Sequence, residues 1–344
     1  MTDRALSELL AGAIPFSLEL RVPFRGLTHR EGVLIKGPYG WGEFAPFDDY
    51  SDVRAGRWLR AAVEAAFTQW PETAVTAVEV NAIIPGLDAS LAGAMARAAI
   101  TESGCTVMKV KVGSPELADD EARVVAVRDA LDSCLGAGVG RIRLDANGAW
   151  QLDQAIAALR RLTRYGVELV EQPCAELSDI AEVRSRIDVP IAVDECLRLA
   201  DDPATLDLRG SADRAVIKPA TVGGMRAALE LADSVGLPVL ISGSLDSSVG
   251  LMPGVQVAAV LSERDSALAA GLGTGRLLAK DLVEHTVVPQ GGHISVHRVQ
   301  PSLEELLAAR DQLSEERAHW WRERLQGAWN AGGNAARSWV DDAR

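Results

Sequence analysis

The sequence has 344 residues, 48% of them hydrophobic, which suits a large α/β domain with a smaller companion. Its 35 basic and 48 acidic residues give a formal net charge of −13, so repulsion argues against nucleic acid or anionic lipid as a partner. It has no apolar run of the length of a membrane span, no secretory-signal pattern and no C-x-x-C spacing among its four cysteines, which together predict a cytoplasmic protein.

Residues 1–77 are predicted to form the N-terminal part of an α+β capping domain. Residues 16–47 form alternating runs separated by turns, which is typical of an antiparallel meander. Apolar residues at helical spacing from about Asp52 to Trp70 predict one helix after it. Between the meander strands, Arg25-Gly26 and His29 are interpreted as a loop, which is either a plain turn, as most such loops are, or a lid over a substrate.

Residues 78–275 are predicted to form a β/α barrel that carries the catalytic site. Short β-branched runs alternate there with amphipathic helical segments, and eight such runs occupy residues 78–84, 106–112, 141–146, 168–172, 191–195, 214–219, 239–243 and 267–272. The alternation predicts a parallel sheet and, by its count, a (β/α)8-type barrel, including the (β/α)7β variant. An open doubly wound sheet is the alternative, although no strand is followed by the G-x-G-x-x-G of dinucleotide-binding folds.

Residues 276–344 are predicted to return to the capping domain. The run VVPQGGHISV predicts a strand pair that joins this domain, and residues 302–325 predict one or two highly charged helices. After about Leu325 the sequence is rich in alanine and glycine, which predicts a frayed tail without an assigned function.

Charged residues stand at the ends of successive predicted strands. Lys111 ends the second strand and Asp145 the third, and Glu171, Asp194 and Lys218 end the next three. Each step along the chain is about one β/α unit, so all five are expected at the C-terminal rim, where barrel enzymes hold their catalytic groups.

The three acids Asp145, Glu171 and Asp194 predict a site for a hard divalent cation. Oxygen ligands suit Mg²⁺, with Mn²⁺ as a substitute, and three carboxylates gathered without a cation would repel one another. The alternative is a set of salt bridges to neighbouring lysines. That alternative explains any one acid well, but it explains three successive acids poorly.

Lysine is rare in this chain, since only five of the 35 basic residues are lysines. Arginine cannot release its proton near neutral pH, whereas lysine can when its pKa is lowered, so the remaining lysines are candidates for chemistry. Lys111 and Lys218 flank the three acids in strand order and are expected to face each other across the substrate. Lys109 lies two residues before Lys111 on the same strand face and is interpreted as a supporting charge.

Further polar residues near the strand ends are predicted to support the site or bind the substrate. Asn147 is expected to hydrogen-bond a ligand or its own loop, and Glu195 to support the metal ligands. The backbone N–H groups of the last strands are expected to hold an anion, with tight barrel turns as the alternative use of their glycines. The predicted substrate-binding residues are Arg25, Ser242, Gly243, Ser244, Gly273 and Thr274.

The ordered motifs K-V-K, L-D-A-N, V-E-Q-P, V-D-E and I-K-P resemble the muconate-lactonizing subgroup of the enolase superfamily, from WGEFAPF to GLGTG. Within it, VPFRGLTHREGVLIKGPYGWGEFAPF, LDANGAW and ISGSLDSSVGL are similar to the short actinobacterial-type o-succinylbenzoate synthases of menaquinone biosynthesis. The resemblance implies a lyase that dehydrates 2-succinyl-6-hydroxy-2,4-cyclohexadiene-1-carboxylate to o-succinylbenzoate. It also implies that Asp145, Glu171 and Asp194 bind Mg²⁺, that Lys111 is the base and that Lys218 faces it.

Two other functions stay open at this stage. An N-acylamino acid racemase or dipeptide epimerase of the same superfamily needs the same metal and lysines, with Lys218 as a second base. A non-catalytic binding barrel is the other alternative, but the presence of every expected ligand and both lysines argues against it. The expected partner is a small-molecule carboxylate substrate, and the oligomeric state is left open.

Overall fold

The computed structural model describes residues 3–264 and 268–342 and begins with a small α+β unit. Its elements are helix α1 (Arg4–Ala11), strands β1 (Ala13–Phe24), β2 (Leu27–Gly37) and β3 (Gly40–Phe44), and helix α2 (Asp52–Phe67). The three strands pair antiparallel in the order β1-β2-β3, so the predicted meander is confirmed. Helix α2 begins where the hydroxyl of Ser51 caps it by accepting from the backbone N–H of Arg54.

Eight parallel strands with intervening helices follow. They are β4 (Ala77–Ile84), α3 (Ala89–Ser103), β5 (Val107–Lys111), α4 (Leu117–Leu135), β6 (Arg141–Asp145), α5 (Leu152–Leu162), β7 (Val167–Glu171), α6 (Leu177–Arg186), β8 (Ile191–Val193), α7 (Glu195–Arg198), β9 (Arg214–Ile217), α8 (Pro219–Val222), α9 (Met225–Ser234), β10 (Val239–Ile241), α10 (Ser248–Ser262) and β11 (Ala270–Gly273). The strand predicted at 267–272 starts at Ala267, which lies outside the described residues, and the observed strand β11 begins at Ala270 and ends at Gly273.

The eight strands close into a barrel. Their order is β10-β9-β8-β7-β6-β5-β4-β11, and just beyond β10 Ser242 pairs with Gly271 of β11. The N–H of Gly243 donates to the carbonyl of Gly271 at 3.0 Å, which joins the two ends of the sheet. A closed ring excludes the doubly wound alternative. Since β11 leads into a 3₁₀ turn at Gly275–Leu277 instead of an α-helix, the described residues give the (β/α)7β variant.

An apolar layer inside the barrel lies directly below the polar side chains of its C-terminal rim. Leu169, Ala192, Val216 and Leu240, none more than 2% exposed, form this layer on four successive strands. Each stands two residues before a predicted site residue, and side chains two apart on a strand share a face. The inward-facing layer therefore directs Glu171, Asp194, Lys218 and Ser242 into the barrel mouth above it.

The C-terminal segment differs from its prediction in two ways. Strand β12 (His293–Ser295) pairs antiparallel with β4 of the barrel, so the predicted strand pair joining the capping domain is wrong. Helices α11 (Leu303–Arg310), α12 (Glu315–Asn330) and α13 (Arg337–Asp342) follow it. Trp321, Trp329 and Val340 are buried against Trp58 of α2, so the predicted frayed tail is wrong for the residues described there. No helix within the described ranges has the length and hydropathy needed to cross a membrane.

Candidate active site

Three carboxylates lie at the C-terminal ends of neighbouring barrel strands. Asp145 ends β6 and pairs in register with Glu171, which ends β7, and Asp194 follows β8 directly. Each of the three is at most 1% exposed. Buried carboxylates require compensating positive charge, so the cationic groups that contact them determine the chemistry available at this edge of the barrel.

Lys109 and Lys111 lie on the same side of β5 but have different partners. The Nζ atom of Lys109 lies 2.7 Å from Glu171 and 3.0 Å from Asp145. Burial opposes its charge, yet the two carboxylates outweigh burial and raise the pKa of Lys109. The Nζ atom of Lys111 lies 2.5 Å from Asp145, and no other carboxylate of the described residues forms an ion pair with it. Burial lowers the pKa of Lys111, Asp145 offsets this only in part, and Lys109 adds repulsion. Of the two, Lys111 has the electrostatics of a base.

Asp194 is held by two cations on the opposite side. The Nζ atom of Lys218 lies 2.6 Å from its Oδ2 atom, and the Nε atom of Arg198 lies 3.2 Å from its Oδ1 atom. Burial opposes ionisation, but Lys218 and Arg198 together hold the pKa of Asp194 below its usual value. Arg198, which is 5% exposed, was not predicted as a site residue. Its position four residues after Asp194, on the same face of α7, is the sequence signal that would have identified it.

The acid cluster has the character of a divalent-cation site. Burial and the charge of Asp145 raise the pKa of Glu171 to about 7, so the present cations do not fully compensate the cluster. In the described residues no three Asp, Glu, His or Cys side chains already converge as a metal site, because these oxygens face lysine ammonium groups. The buried Oδ1 atom of Asp194 accepts no hydrogen bond from the described residues, although the Nε atom of Arg198 lies 3.2 Å away. All the available donors are carboxylate oxygens, which fits a hard divalent cation.

Gln172 fixes the backbone between two of the predicted ligands and was also missed. It is fully buried and has φ of 42°, a conformation that is uncommon for a residue other than glycine. Its Oε1 atom accepts from the backbone N–H of Asp194 at 2.9 Å, and its Nε2 atom donates to the carbonyl of Cys174 at 2.9 Å. This bridge from β7 to β8 sets the spacing between Glu171 and Asp194. The V-E-Q-P motif contains the residue, although periodicity alone gives no reason to select it.

Asn147 and Glu195, the predicted supporting residues, contact each other beside Lys111. The Oδ1 atom of Asn147 accepts from Lys111 at 2.8 Å, and its Nδ2 atom donates to Glu195 at 3.0 Å. The backbone N–H of Asn147 donates to Asp145 at 3.1 Å. Asn147 has φ of 49°, which asparagine tolerates better than most residues. The structure therefore joins both residues to the proposed base.

The predicted anion-binding groups of the last strands are largely used within the fold. The N–H of Gly243 donates to Gly271, that of Ser244 to Asp246 at 2.7 Å, and that of Thr274 to Leu272 at 2.9 Å. The expectation that Gly243 and Thr274 offer free N–H groups is therefore wrong in this structure.

The side chains at these positions behave differently from one another. Ser242, 3% exposed, donates its hydroxyl to the carbonyl of Gly271 at 3.2 Å. A Cβ atom at Gly273 would lie 2.3 Å from the carbonyl oxygen of Asn81, so this glycine serves close packing against β4. The Thr274 hydroxyl is buried without a partner among the described residues, and of this group it has the most unused capacity to bind a ligand.

The predicted lid residues lie on the capping sheet. Arg25, with φ of 53°, and Gly26 form the tight turn between β1 and β2, and the Arg25 guanidinium stacks 4.8 Å from the centroid of the Phe47 ring. His29 lies within β2, so its placement in a loop is wrong. Arg25 lines a cleft with Phe47 and Tyr50 that the three carboxylates do not line. Phe24, next to Arg25, has its ring centroid 5.6 Å from the Lys111 ammonium, so the capping sheet reaches Lys111.

Comparison with known proteins agrees with this architecture. Residues 92–301 match the family described as Enolase C-terminal domain-like, and residues 16–66 match the Enolase N-terminal domain-like family. Among solved structures, a muconate lactonizing enzyme from Pseudomonas fluorescens superposes with a TM-score of 0.71 at 20% identity, covering 86% of this chain and 96% of that one. The L-Ala-D/L-Glu epimerase from Bacillus subtilis gives 0.70 at 22% identity over 85% and 96%. Likeness at this identity supports the fold alone.

Curated relatives narrow the family. The o-succinylbenzoate synthase of Thermobifida fusca is 44% identical over 89% of this chain and 96% of its own length. The o-succinylbenzoate synthase of Mycobacterium bovis is 40% identical over 94% of this chain and 96% of its own length. The chain therefore belongs to the enolase superfamily of divalent-metal-dependent enzymes and, within it, to the o-succinylbenzoate synthase family of lyases.

Proposed function

We propose that this chain catalyses the syn dehydration of 2-succinyl-6-hydroxy-2,4-cyclohexadiene-1-carboxylate to o-succinylbenzoate, with Lys111 as the base. The observation that carries the proposal is the contrast on β5. In the part of the chain that the structure describes, Lys109 pairs with two carboxylates and its pKa is raised, whereas Lys111 pairs with one and its pKa is lowered. A base must reach its neutral form near the working pH, and of these two lysines only Lys111 is moved in that direction.

Lys111 acts twice in this reaction. Its neutral amine takes the proton from the carbon next to the substrate carboxylate, and the resulting ammonium gives a proton to the hydroxyl that leaves as water. The electron pair of the broken C–H bond forms the new C=C bond while the C–O bond breaks, and the ring becomes aromatic. Because both proton transfers occur on one face, one lysine is sufficient.

Lys218 supplies positive charge in this proposal. Its ammonium stays paired with Asp194, at 2.6 Å, and faces the charge that develops as the α-proton leaves. A racemase would instead require Lys218 to deliver or remove a proton on the second face. The epimerases among the structural neighbours make racemisation the alternative to be tested, although they resemble this chain at low identity.

Asp145, Glu171 and Asp194 would hold the divalent ion, and we propose Mg²⁺, with Mn²⁺ able to replace it. When bound, the ion supplies positive charge to the substrate carboxylate oxygens, which makes the neighbouring C–H group more acidic. Their carboxylate-only donor set suits these two ions better than a softer metal. We extend the proposal to a small-molecule carboxylate substrate and to a cytoplasmic location.

The test is an assay of the wild-type enzyme on two substrates, before and after removal of metal by a chelator. We expect loss of the cyclohexadiene and appearance of o-succinylbenzoate with added Mg²⁺ or Mn²⁺, and no turnover without metal. The second substrate is an N-succinylamino acid, with exchange of its α-proton followed in D₂O. Efficient exchange combined with barely detectable dehydration would overturn the synthase proposal in favour of the racemase. Binding of metal without turnover on either substrate would favour a binding barrel.

A further inference from the structure

A continuous hydrogen-bonded path leads from the capping domain to the proposed base. Arg198 donates through Nη1 to the hydroxyl of Tyr50, and through Nη2 to the Oε1 atom of Glu195 at 2.7 Å. Asn147 donates to the same Glu195 atom at 3.0 Å and accepts from Lys111 at 2.8 Å. The path crosses four separate parts of the chain: the loop before α2, helix α7, the loop after β6 and the end of β5. None of these residues is close to Lys111 in sequence, so tertiary contacts bring them to it.

The chemistry of the path fixes its direction. The ionised carboxylate of Glu195 can only accept, so it selects the NH₂ group of Asn147 and turns the amide carbonyl toward Lys111. The guanidinium of Arg198 can only donate, so it holds Glu195 in place with a charge-assisted bond. Without Glu195, the NH₂ group of Asn147 would lose this partner, and the amide would follow Lys111 instead of fixing its position. The pull of Asp145 would then draw the ammonium toward the carboxylate cluster.

Tyr50 is the fixed end of the path. It is 8% exposed, and its ring makes edge contacts with Phe47 at 5.7 Å and Trp58 at 6.3 Å between centroids. Its carbonyl accepts from Arg324 of α12. Since the loop before α2, α2 itself and the C-terminal helices share these contacts, the position of the Tyr50 hydroxyl reports the position of the capping domain.

We propose that Tyr50, Arg198, Glu195 and Asn147 form a positioning relay through which the docked capping domain orients the amine of Lys111 toward the substrate. They are positioning residues, since their effect on the reaction passes through Lys111. The inference rests on the proposed role of Lys111 as the base. It goes beyond that role by making the reaction rate depend on a tyrosine hydroxyl from the other domain. A relay predicts that its links act in series, so removal of one link makes another redundant.

The experiment is a double-mutant cycle of Tyr50→Phe and Glu195→Ala in the full-length, Mg²⁺-loaded enzyme. We expect Tyr50→Phe to lower kcat about tenfold and Glu195→Ala about 100-fold. KM and the Mg²⁺ affinity, measured by titration calorimetry, should stay within about twofold of the wild type. Adding Tyr50→Phe to Glu195→Ala should produce no further loss, because the relay is already broken. Glu195→Gln, whose amide oxygen accepts from the same two donors, should recover most of kcat.

Tyr165→Phe is the matched control, because the Tyr165 hydroxyl donates to Glu121 at 2.9 Å in the outer helical layer. It should leave kcat unchanged. Additive losses in the double variant would overturn the relay, as would losses expressed in KM or in Mg²⁺ affinity, or unchanged kcat in Glu195→Ala. Failure of the proposed function is recognised separately, since the wild-type enzyme would then form no o-succinylbenzoate at all.

Discussion

The two sides of the barrel mouth each present one lysine, in different surroundings. On the β5 side, Asp145 is the carboxylate that pairs with Lys111 among the described residues, and burial lowers the pKa of Lys111. On the β9 side, Lys218 pairs with Asp194 at 2.6 Å and lines a small cavity together with Asp246. This difference supports our proposal that the two lysines have separate tasks, with Lys111 exchanging protons and Lys218 holding charge.

The two sides of the barrel mouth are also joined to the capping domain by different interactions. The β5 side is reached by hydrogen bonds that start at Tyr50, whereas the β9 side is reached by a carboxylate. Glu43 of β3 accepts from the hydroxyl and the N–H of Ser247, the residue that caps α10. Burial, together with the charge of Asp246, raises the pKa of Glu43 to about 8. The link through Tyr50 therefore depends on hydrogen-bond geometry, whereas the link through Glu43 depends on the protonation state of its carboxyl group.

Replacement of Lys218 is expected to separate dehydration from racemisation. Lys218→Arg keeps the charge, so dehydration should fall by at most about 100-fold, whereas any racemisation of an N-succinylamino acid should disappear because arginine cannot exchange protons near neutral pH. Lys218→Ala removes the charge and should be markedly slower than Lys218→Arg in dehydration. Both rates are measured on the same preparations, by loss of the cyclohexadiene and by α-proton exchange in D₂O.

Equal rates of dehydration for Lys218→Arg and Lys218→Ala would contradict the proposed role of Lys218, because its positive charge would then make no contribution to the rate. Retention of racemisation in Lys218→Arg would place the second proton transfer on another group. Mg²⁺ titration of both variants shows whether the site still binds metal when the partner of Asp194 is changed.

A smaller effect is expected from Glu43, in stability and not in turnover. Its pKa is raised from 4.5 to about 8, so the folded state holds a proton that the unfolded state releases across that range. Stability should therefore fall as pH rises from about 4.5 to about 8, with a contribution of up to about 1.4 kcal/mol per pH unit. Glu43→Gln keeps an acceptor for Ser247 and should remove this contribution, as measured by denaturant unfolding at several pH values.

Ser247→Ala is the matched variant for this prediction. It removes the hydroxyl bond and an N-cap, at a cost of about 1 kcal/mol, but leaves the buried carboxylate beside Asp246. Its stability should be lower at every pH, with the dependence on pH retained. A Glu43→Gln protein whose unfolding free energy has the same slope against pH as the wild type would show that Glu43 does not titrate in this window.

Much of the barrel and its rim could be predicted because both depend on repeated local patterns. A β/α unit of nearly constant length brings Asp145, Glu171 and Asp194 to one edge, and a two-residue period points them inward. The meander of β1 to β3 was equally local. By contrast, β12 was assigned to the wrong sheet because its partner β4 lies about two hundred residues away, and a short strand carries no signal of its partner.

The supporting residues were harder to predict because they act through tertiary contacts. Tyr50 and Gln172 have no unusual spacing that requires a role, and their function follows from bonds between separate parts of the chain. Arg198 is indicated in the sequence by its position four residues after Asp194, but its bond to Tyr50 is a tertiary contact. The glycines and backbone N–H groups near Thr274 were misjudged for a related reason. Closure of the barrel at Gly271 uses hydrogen-bond donors that a linear sequence leaves apparently free.

The central claim is that Lys111 moves the protons, and turnover of the cyclohexadiene by Lys111→Arg tests it most directly. Arginine keeps the positive charge but cannot accept a proton near neutral pH, so kcat should fall by about 100- to 10,000-fold. Mg²⁺ binding should be retained, and the loss should exceed that of Lys218→Arg measured in parallel. Near-normal turnover by Lys111→Arg, or a larger loss in Lys218→Arg, would contradict the assignment and make Lys111 an electrostatic residue.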